Sequence, residues 1–407
     1  MKPSVLIVTA YRWVSSARIA MSFAEAGWTV EAVCPGGHIF EFTKAVRRLH
    51  ECHLFAMPYA IRRAISKAKP DLVVPCDDLA AGQLRHLCDA DSSAGVSDDL
   101  RALLARSLGD SSCYRDFDSR DRIATLAREQ GIAVPETVVV RSVADLEAWV
   151  ARNELPGVLK TDGSTGGSGV RIVSTLDGAR SAFSILSVPT GFLRAVKRAV
   201  VDKNGTYLVP SLKGIRPVVN FQRYIAGVEA TSTCACWQGE VLACVTLRVL
   251  KTNGRVGTST VVQVMDDPRI LQAVQKMTRC LRLSGLAGFD FMLERESGQP
   301  FLLEINPRAT PTTHLRTAAG SLALALRTAL TGEEIKPCPI YKDGDKIALF
   351  PQEWLRDPES EFLRTAHPDV PWNEPEFVRA CLRRETVGVR GWLQPGGKLA
   401  KFFPKAA

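Results

Sequence analysis

The chain lacks the features that would mark a membrane, secreted or disulfide-linked protein. No run approaches the roughly 18 apolar residues that a membrane-spanning helix requires. The first apolar run, Val5–Val8, is too short for the core of a signal peptide, and we expect a buried parallel strand there. The cysteines are odd in number, eleven, and contain no Cys-x-x-Cys pair, so we expect reduced and mostly buried thiols. These absences predict a cytoplasmic protein.

Several nucleotide-binding and carrier motifs are also missing. The stretch after the first predicted strand, Thr9–Arg12, contains no G-x-G-x-x-G, which argues against a dinucleotide fold. No G-K-[ST] occurs in the glycine-rich stretch at residues 161–169, which excludes a P-loop there. There is no biotin-carrier lysine motif. There is also no basic patch interleaved with aromatic residues, so nucleic acid is not an expected partner.

The composition, with 46% hydrophobic and 23% charged residues, is that of a globular protein, and 407 residues predict two or three domains. The formal net charge of +9 suits an anionic ligand and comes from two segments, residues 186–219 and 376–407, each with a net charge of +5. The first is either a solvated face or a clamp for an acidic substrate. A homo-oligomer is compatible with this composition.

Residues 1–112 alternate predicted strands and helices, which indicates a parallel α/β sheet. Because the loops after parallel strands line the crevice of such a sheet, Arg12, Asp77 and Asp78 are candidates for substrate contact. Ordinary surface polarity explains these three side chains equally well.

Residues 288–308 form the most informative stretch. Two apolar runs flank a polar turn that contains Ser297-Gly298, a pattern typical of a β-hairpin. If the hairpin closes symmetrically about Ser297, Asp290 lies opposite Glu304, with Phe301, Leu303 and Ile305 on the other face from Glu304 and Asn306. Two opposed carboxylates destabilise a strand pair unless a cation neutralises them. The pattern therefore indicates either a solvated polar face or a Mg²⁺ site that uses Asp290, Glu304 and Asn306.

The order Phe-Asp-Phe, then Glu-Ile-Asn-Pro-Arg at residues 304–308, then a threonine-rich turn, resembles the metal-binding end of the ATP-grasp superfamily. It is most similar to the carbamoyl phosphate synthetase and biotin carboxylase branch. The resemblance implies a mixed fold (α/β and α+β): a pre-ATP-grasp domain at 1–112, a two-lobed ATP-grasp domain with antiparallel sheets at 113–335, and a C-terminal extension at 336–407. Within the middle domain, the lid lobe would span about 135–221 and the catalytic lobe about 222–335.

The same resemblance implies how ATP binds. Lys160 and the glycine-rich loop would hold the phosphates, Asp121-Arg122 stands where the family has Asp-Lys, and Gln222 to Glu229 correspond to the hinge that binds adenine and ribose. The implied nucleotide-binding residues are Arg122, Lys160, Gly163, Ser164, Gly166, Gly167, Ser168, Gly169, Gln222, Arg223, Tyr224, Ile225 and Glu229. Within the hinge, Gln222 and Ile225 are assigned to adenine and Glu229 to ribose.

The implied activity is an ATP- and Mg²⁺-dependent ligation, with Mn²⁺ able to replace Mg²⁺, that joins a small-molecule carboxylate to an amine through an acyl phosphate. Arg308 and Lys160 would act in catalysis, and Arg248 could reach the transferred phosphoryl group or be a plain surface cation. A phosphotransferase, an ATP-dependent carboxylase and a catalytically silent nucleotide-binding protein remain alternatives.

Overall fold

The computed structural model describes residues 2–53, 56–88, 97–162, 169–188, 217–254, 257–318, 320–334 and 339–384. The N-terminal region contains β1 Ser4–Val8, α1 Val14–Glu25, β2 Thr29–Pro35, β3 Arg48–Cys52, α2 Met57–Ala68, β4 Leu72–Pro75, α3 Asp78–Cys88 and α4 Asp98–Leu108. Its four strands form a parallel sheet in the order β3-β2-β1-β4. The predicted N-terminal parallel α/β fold is confirmed.

A second, smaller sheet follows. Its elements are α5 Arg120–Glu129, β5 Thr137–Val140, α6 Val143–Arg152, β6 Gly157–Thr161, β7 Val170–Val173, α7 Leu176–Leu186 and β8 Val219–Arg223. The strands are antiparallel in the order β5-β8-β6-β7. One face of the sheet packs on α6 and α7, where the rings of Trp149 and Phe221 lie 4.1 Å apart. The other face is left for the functional site.

The third sheet is the largest. It contains β9 Gly227–Trp237, β10 Glu240–Thr252, β11 Ser259–Val264, β12 Gly285–Glu294, β13 Pro300–Asn306, β14 Lys346–Ala348 and β15 His367–Pro368. The order is β13-β12-β9-β10-β11-β14-β15, with antiparallel pairing except between the last two strands. The helices around it are α8 Pro268–Cys280, α9 Leu322–Thr331, α10 Gln352–Arg356, α11 Phe362–Thr365 and α12 Pro375–Arg384. Two strands from the segment interpreted as a C-terminal extension thus complete this sheet.

A shared apolar core joins the N-terminal sheet to the largest one. Phe23 and Trp28 from the N-terminal region pack in the same cluster as Leu322 and Leu326 of α9, and Trp28 Nε1 donates to the carbonyl of Ala323 over 2.9 Å. Full burial of each such side chain contributes about 1.5–3 kcal/mol. The N-terminal domain is therefore held rigidly against the strands that carry the candidate metal ligands.

Two further predictions can be compared with this fold. None of the helices in the described part of the chain is long and apolar enough to span a membrane. Most of both basic segments, at 189–216 and 385–407, lies outside the described residues.

Candidate functional site

Asp290 on β12 and Glu304 on β13 are directly paired, as the sequence predicts. The route to this register differs from the prediction, however. The pairs nearest the turn, such as Leu293 with Pro300, are offset by one residue from the predicted register. A bulge at Leu303 removes this offset, so that Asp290 and Glu304 pair as predicted. An extra residue in one strand shifts all later pairs by one position. The two carboxylates therefore meet because of the bulge and not because the turn is symmetrical.

The bulge also breaks the predicted alternation along β13. Leu302 and Ile305 are the buried residues and join the core beneath the sheet, whereas Phe301 and Leu303 are only partly buried. The prediction that Phe301, Leu303 and Ile305 all lie on one face of the strand is wrong for this reason. A strict period of two fails wherever a strand contains an additional residue.

Asp290 lies in an environment that disfavours its charge. Burial and the neighbouring charge of Glu304 raise its pKa to about 6, against smaller opposing effects of Thr231, Arg308 and Asn306. Asn306 Nδ2 donates to Asp290 Oδ2 over 3.0 Å, which turns the amide oxygen of Asn306 away from Asp290 and toward Arg308. The end of the hairpin therefore carries two carboxylates and one amide, and the charged form of Asp290 is disfavoured there chiefly by burial.

Arg308, just past the end of β13, reaches the N-terminal domain. Its Nε donates to Asp78 Oδ1 over 2.6 Å and its Nη2 to Asp78 Oδ2 over 3.1 Å, while Nη2 also lies 3.2 Å from Asn306 Oδ1. The guanidinium carbon stands 6.0 Å from the ring centre of Trp13. Bidentate pairing and burial, with only 11% of the side chain exposed, fix the orientation of this cation.

The other two N-terminal candidates, Asp77 and Arg12, make hydrogen bonds within the N-terminal domain. Asp77 is fully buried, accepts hydrogen bonds from Ala10 N, Thr9 Oγ1 and Ala80 N, and so ties β1 to the start of α3. Arg12 donates to the carbonyl of Gly36. Of the three residues predicted to contact substrate, only Asp78 lines the central cavity.

Lys160 lies on the free face of the smaller sheet. It pairs with Asn220 in register, and Gln222, two residues further along β8, lies on the same face. Burial and the charge of Arg120 lower the pKa of Lys160 to about 8, although Glu304, Asp290 and Glu229 oppose the shift. Lys160 is thus a cation held between the two sheets, close to the carboxylate pair.

Arg120 is a site residue that the sequence interpretation missed. It is the first residue of α5, and its Nη2 contacts Glu304 Oε1 over 2.9 Å while its Nε lies 3.5 Å from Asp162 Oδ1. Its buried Nε and Nη1 have no hydrogen-bond partner. A guanidinium with unsatisfied buried donors is placed to receive an anion.

Arg122, the residue chosen from the sequence, points elsewhere. Its side chain is 50% exposed and pairs with Asp116 over 2.9 Å, and it does not line the cavity. Successive residues of a helix turn by about 100°, so two positions along the first turn of α5 separate a buried side chain from an exposed one. The Asp-Arg motif at residues 121–122 gave no means of choosing between Arg120 and Arg122.

The hinge joins β8 to β9. Gln222 is buried and its Nε2 donates to Thr137 Oγ1 over 3.1 Å, Ile225 is also buried, and Tyr224 and Glu229 are partly buried. Burial raises the pKa of the Glu229 carboxyl, and Lys160 opposes that shift. Arg223 is exposed and lies over the ring of Phe301 at 5.5 Å. The hinge therefore presents Gln222, Ile225 and Glu229 toward the interior and Arg223 toward solvent.

The remaining predicted residues are those of the glycine-rich loop and Arg248. Gly163, Ser164, Gly166, Gly167 and Ser168 lie outside the described residues, and of this loop only Gly169 is described, with its carbonyl accepting from Thr161 N over 3.1 Å. Arg248 is exposed and pairs with Ala230, which in turn pairs with Phe291. Because paired residues share a face and neighbours alternate, Arg248 lies on the opposite face of the sheet from Asp290.

A cavity of about 310 Å³ connects these groups. It is bounded by α3 and α5 on one side, by the free face of the smaller sheet on another, and by the end of β13. Its charged and polar lining consists of Tyr11, Asp78, Arg85, Ser119, Arg120, Thr137, Lys160, Asp162, Asn220, Gln222, Glu304 and Asn306. Pockets of this size and mixed lining are typical of small-molecule sites.

The residues present fit Mg²⁺ brought by a nucleotide. Among the described residues, no group of three or more His, Cys, Asp and Glu side chains is arranged to hold a metal ion by itself. Mg²⁺ commonly takes only one or two protein carboxylates and completes its shell with water and substrate phosphates. Asp290 and Glu304 supply two opposed carboxylates for that role, and Asn306 lies beside them with its amide oxygen directed toward Arg308 in this structure.

Comparison with known proteins agrees with this arrangement. Residues 217–343 match the family described as "ATP-grasp in the biosynthetic pathway with Ter operon". That segment includes the hinge, the hairpin and the threonine-rich turn.

Solved structures with the same fold cover most of the chain. Carboxyaminoimidazole ribonucleotide synthase from Aspergillus clavatus, complexed with ATP, is 15% identical over 85% of this chain and 80% of its own, with a TM-score of 0.59. An L-amino acid ligase from Bacillus licheniformis is 16% identical over 83% and 76%, with a TM-score of 0.55. The biotin carboxylase domain of a Hydrogenobacter thermophilus 2-oxoglutarate carboxylase, in complex with MgADP, ADP and bicarbonate, is 12% identical over 83% and 71%, with a TM-score of 0.54.

The TM-scores establish similarity of fold. The match of residues 217–343 adds similarity of sequence at the hinge and the hairpin. On these two findings, residues 217–343 are similar in sequence to an ATP-grasp family, and the chain shares its fold with ATP-grasp enzymes that include a carboxyaminoimidazole ribonucleotide synthase and a biotin carboxylase domain.

Proposed function

We propose that the protein is an ATP- and Mg²⁺-dependent ligase that activates a carboxylate as an acyl phosphate and transfers the acyl group to an amine. The observation that carries the proposal is the direct pairing of Asp290 with Glu304 next to two buried cations, Arg120 and Lys160. Opposed carboxylates beside unsatisfied guanidinium donors are costly in a folded protein unless ligands complete the site.

Asp290, Glu304 and Asn306 would hold Mg²⁺. When bound, the ion supplies neutralisation of the negative charge on the nucleotide phosphates. Arg120 from α5 and Lys160 from the smaller sheet approach the same region and would donate to phosphate oxygens, and the buried Nε and Nη1 of Arg120 have no hydrogen-bond partner in the protein. Gln222, Ile225 and Glu229 hold the nucleoside at the hinge, and the role of the glycine-rich loop at 163–168 stays a prediction.

The reaction divides into two balanced steps. A carboxylate oxygen of the substrate attacks the γ-phosphorus of ATP, and the bond from that phosphorus to the β-phosphate oxygen breaks to release ADP. The amine nitrogen then attacks the acyl carbon, inorganic phosphate leaves with the bonding electron pair, and the amine loses a proton. Arg308 is oriented by Asp78 through Nε and Nη2, and its positive charge and its Nη1 would stabilise the acyl phosphate oxygens.

Hydroxylamine tests the acyl phosphate directly. The purified protein is screened for ADP release with MgATP across small carboxylates and amines, and each active carboxylate is then incubated with hydroxylamine in place of the amine. We expect hydroxamate in proportion to ADP. ADP formation with a phosphate ester and no hydroxamate would instead establish a phosphotransferase, and carboxylation would require bicarbonate. The absence of ADP release with all substrates would favour a silent nucleotide-binding protein.

A further inference from the structure

We propose that the cavity extends into an apolar pouch that receives the apolar group of the carboxylate substrate, and that Gly82 keeps this pouch open. The pouch is lined by Leu79, Gly82, Phe117, Ile123 and Ala124, on α3, on the segment before α5 and on α5 itself, and it is bordered by Arg85, whose guanidinium carbon lies 5.7 Å from the ring centre of Phe117. This inference rests on the proposed ligase function and names the class of carboxylate: one with an apolar side chain or tail.

The pouch begins beside the cation that would hold the reacting carboxyl group. Asp78, Gly82 and Arg85 all line the cavity, and their spacing places them on one face of α3. Asp78 is the partner of Arg308. Gly82 lies one helical turn further along, about 6 Å by the rise of an α-helix. A carboxylate held at Arg308 would therefore extend its substituent toward Gly82.

Neither packing nor backbone conformation explains a glycine at this position. A Cβ added to Gly82 would meet no atom within 4 Å, and Gly82 is not among the described glycines with positive φ. Glycine inside a helix is less favourable than alanine because it loses more backbone freedom on folding. What the missing side chain provides at residue 82 is space in the cavity.

The size and chemistry of the cavity suit a substrate with one charged and one apolar end. A cavity of about 150 Å³ can hold benzene, so about 310 Å³ has room for a carboxyl group with a ring or branched chain. We assign Arg120 to the nucleotide phosphates, so the carboxyl group of the substrate would lie toward Arg308. Of the residues that we assign to the nucleoside, Gln222 lines this cavity, whereas Ile225 and Glu229 do not. We therefore place the nucleoside at the end of the cavity beside Gln222 and the pouch at the end beside α3.

Three variants test the pouch. Gly82→Ala is expected to raise the melting temperature by about 1–3 °C because alanine is the better helix former. Gly82→Leu is expected to fill the pouch. Gln83→Leu is the matched control, because residue 83 is on the same helix but does not line the cavity. Calorimetry then measures the binding of ATP and, in a second series, of acetate, butyrate and hexanoate.

For the wild type and Gln83→Leu, we expect affinity to rise about 3-fold for each added CH₂ group that the pouch buries. Gly82→Leu should lose at least about 10-fold in hexanoate affinity while acetate and ATP affinities stay within about 2-fold. A wild type without preference for the longer carboxylates would overturn the inference, and so would an unchanged carboxylate series in Gly82→Leu. An equal loss of ATP binding in Gly82→Leu would also overturn it, because it would assign the pouch to the nucleotide. If the preference holds but no carboxylate yields ADP or hydroxamate, the ligase proposal fails and the pouch remains.

Discussion

Arg308 and Asp78 join the end of the β12–β13 hairpin to the start of α3 in the N-terminal domain, through two hydrogen bonds of 2.6 and 3.1 Å. The pair is 230 residues apart in sequence and holds a guanidinium beside Asn306. An N-terminal side chain thereby sets the direction in which a catalytic-lobe cation presents its donors. The N-terminal domain contributes to the site by orienting Arg308 as well as by lining the cavity.

Arg308→Lys should therefore reduce turnover without weakening ATP binding. Lysine keeps the charge but lacks the planar pair of donors that can grip two oxygens at once. We expect kcat for hydroxamate formation to fall about 100-fold or more, the usual effect of losing a donor used in the transition state, with the KM for ATP little changed. Asp78→Asn, which keeps the shape but weakens the orientation of Arg308, should cause a smaller loss of about 10-fold. Equal losses in kcat and in ATP affinity for Arg308→Lys would show that this cation serves the nucleotide.

Glu304→Gln tests the metal site. The variant leaves one carboxylate for Mg²⁺ and should lower ADP formation at least about 100-fold at saturating Mg²⁺. Glu296→Gln is the matched control, since Glu296 is an exposed carboxylate on the turn of the same hairpin. Binding of Mn²⁺ in the presence of ADP, followed by electron paramagnetic resonance, gives a measurement that does not depend on turnover. Retention of Mn²⁺ binding by Glu304→Gln at the wild-type level would remove Glu304 from the metal site.

Arg120 and Arg122 provide a second matched pair. Arg120→Met removes a buried cation with unsatisfied donors, so ATP affinity should fall by about 1.5–3 kcal/mol, or roughly 10- to 150-fold, as expected for a charge-assisted contact. Arg122→Met removes an exposed cation paired with Asp116 and should leave ATP affinity within about 2-fold. Calorimetry with ATP and circular dichroism of both variants separate binding from folding. The reverse ranking would restore the assignment to Arg122 that the sequence favoured.

Strands and register were largely predictable because the apolar pattern in this chain is strong. The run Val5–Val8 was predicted as a buried parallel strand and lies in β1. The predicted pairing of Asp290 with Glu304 is present, although the bulge at Leu303 brings the two residues together and not a symmetrical turn. Both inferences depend on local information, namely side-chain alternation and turn residues.

Side-chain direction was less predictable. A strand pattern shows that faces alternate but not which face meets the ligand, and the position of Arg248 depends on its pairing with Ala230 on the neighbouring strand. The bulge at Leu303 carries no sequence signal that we recognise. The choice between Arg120 and Arg122 depends on the rotation of α5 against β13, which is set by tertiary packing.

Asp290 links stability to pH in a way that tests the site without any substrate. Its pKa of about 6 in the folded protein exceeds the value of about 3.9 in an unfolded chain. The native state therefore binds more protons than the unfolded state between about pH 4 and 6, and this group lowers the free energy of unfolding as the pH rises through that window. Above pH 6 the ionised carboxylate is a cost to folding.

Asp290→Asn should consequently be more stable than the wild type at pH 8 in EDTA, by as much as about 3 kcal/mol, which corresponds to a pKa difference of two units. The difference should shrink toward zero near pH 4, where Asp290 is protonated in the folded protein and about half protonated in the unfolded chain. Asn306 Nδ2 can still donate to the oxygen of the new amide. Glu296→Gln is again the control and should show no such pH-dependent gain. Denaturant unfolding at pH 4, 6 and 8 measures these differences.

Addition of Mg²⁺ and ADP should stabilise the wild type more than Asp290→Asn, because only the wild type offers the ion both carboxylates. A variant less stable than the wild type at pH 8 in EDTA would show that Asp290 is already neutralised within the protein, and it would remove the electrostatic argument for a cation at this hairpin.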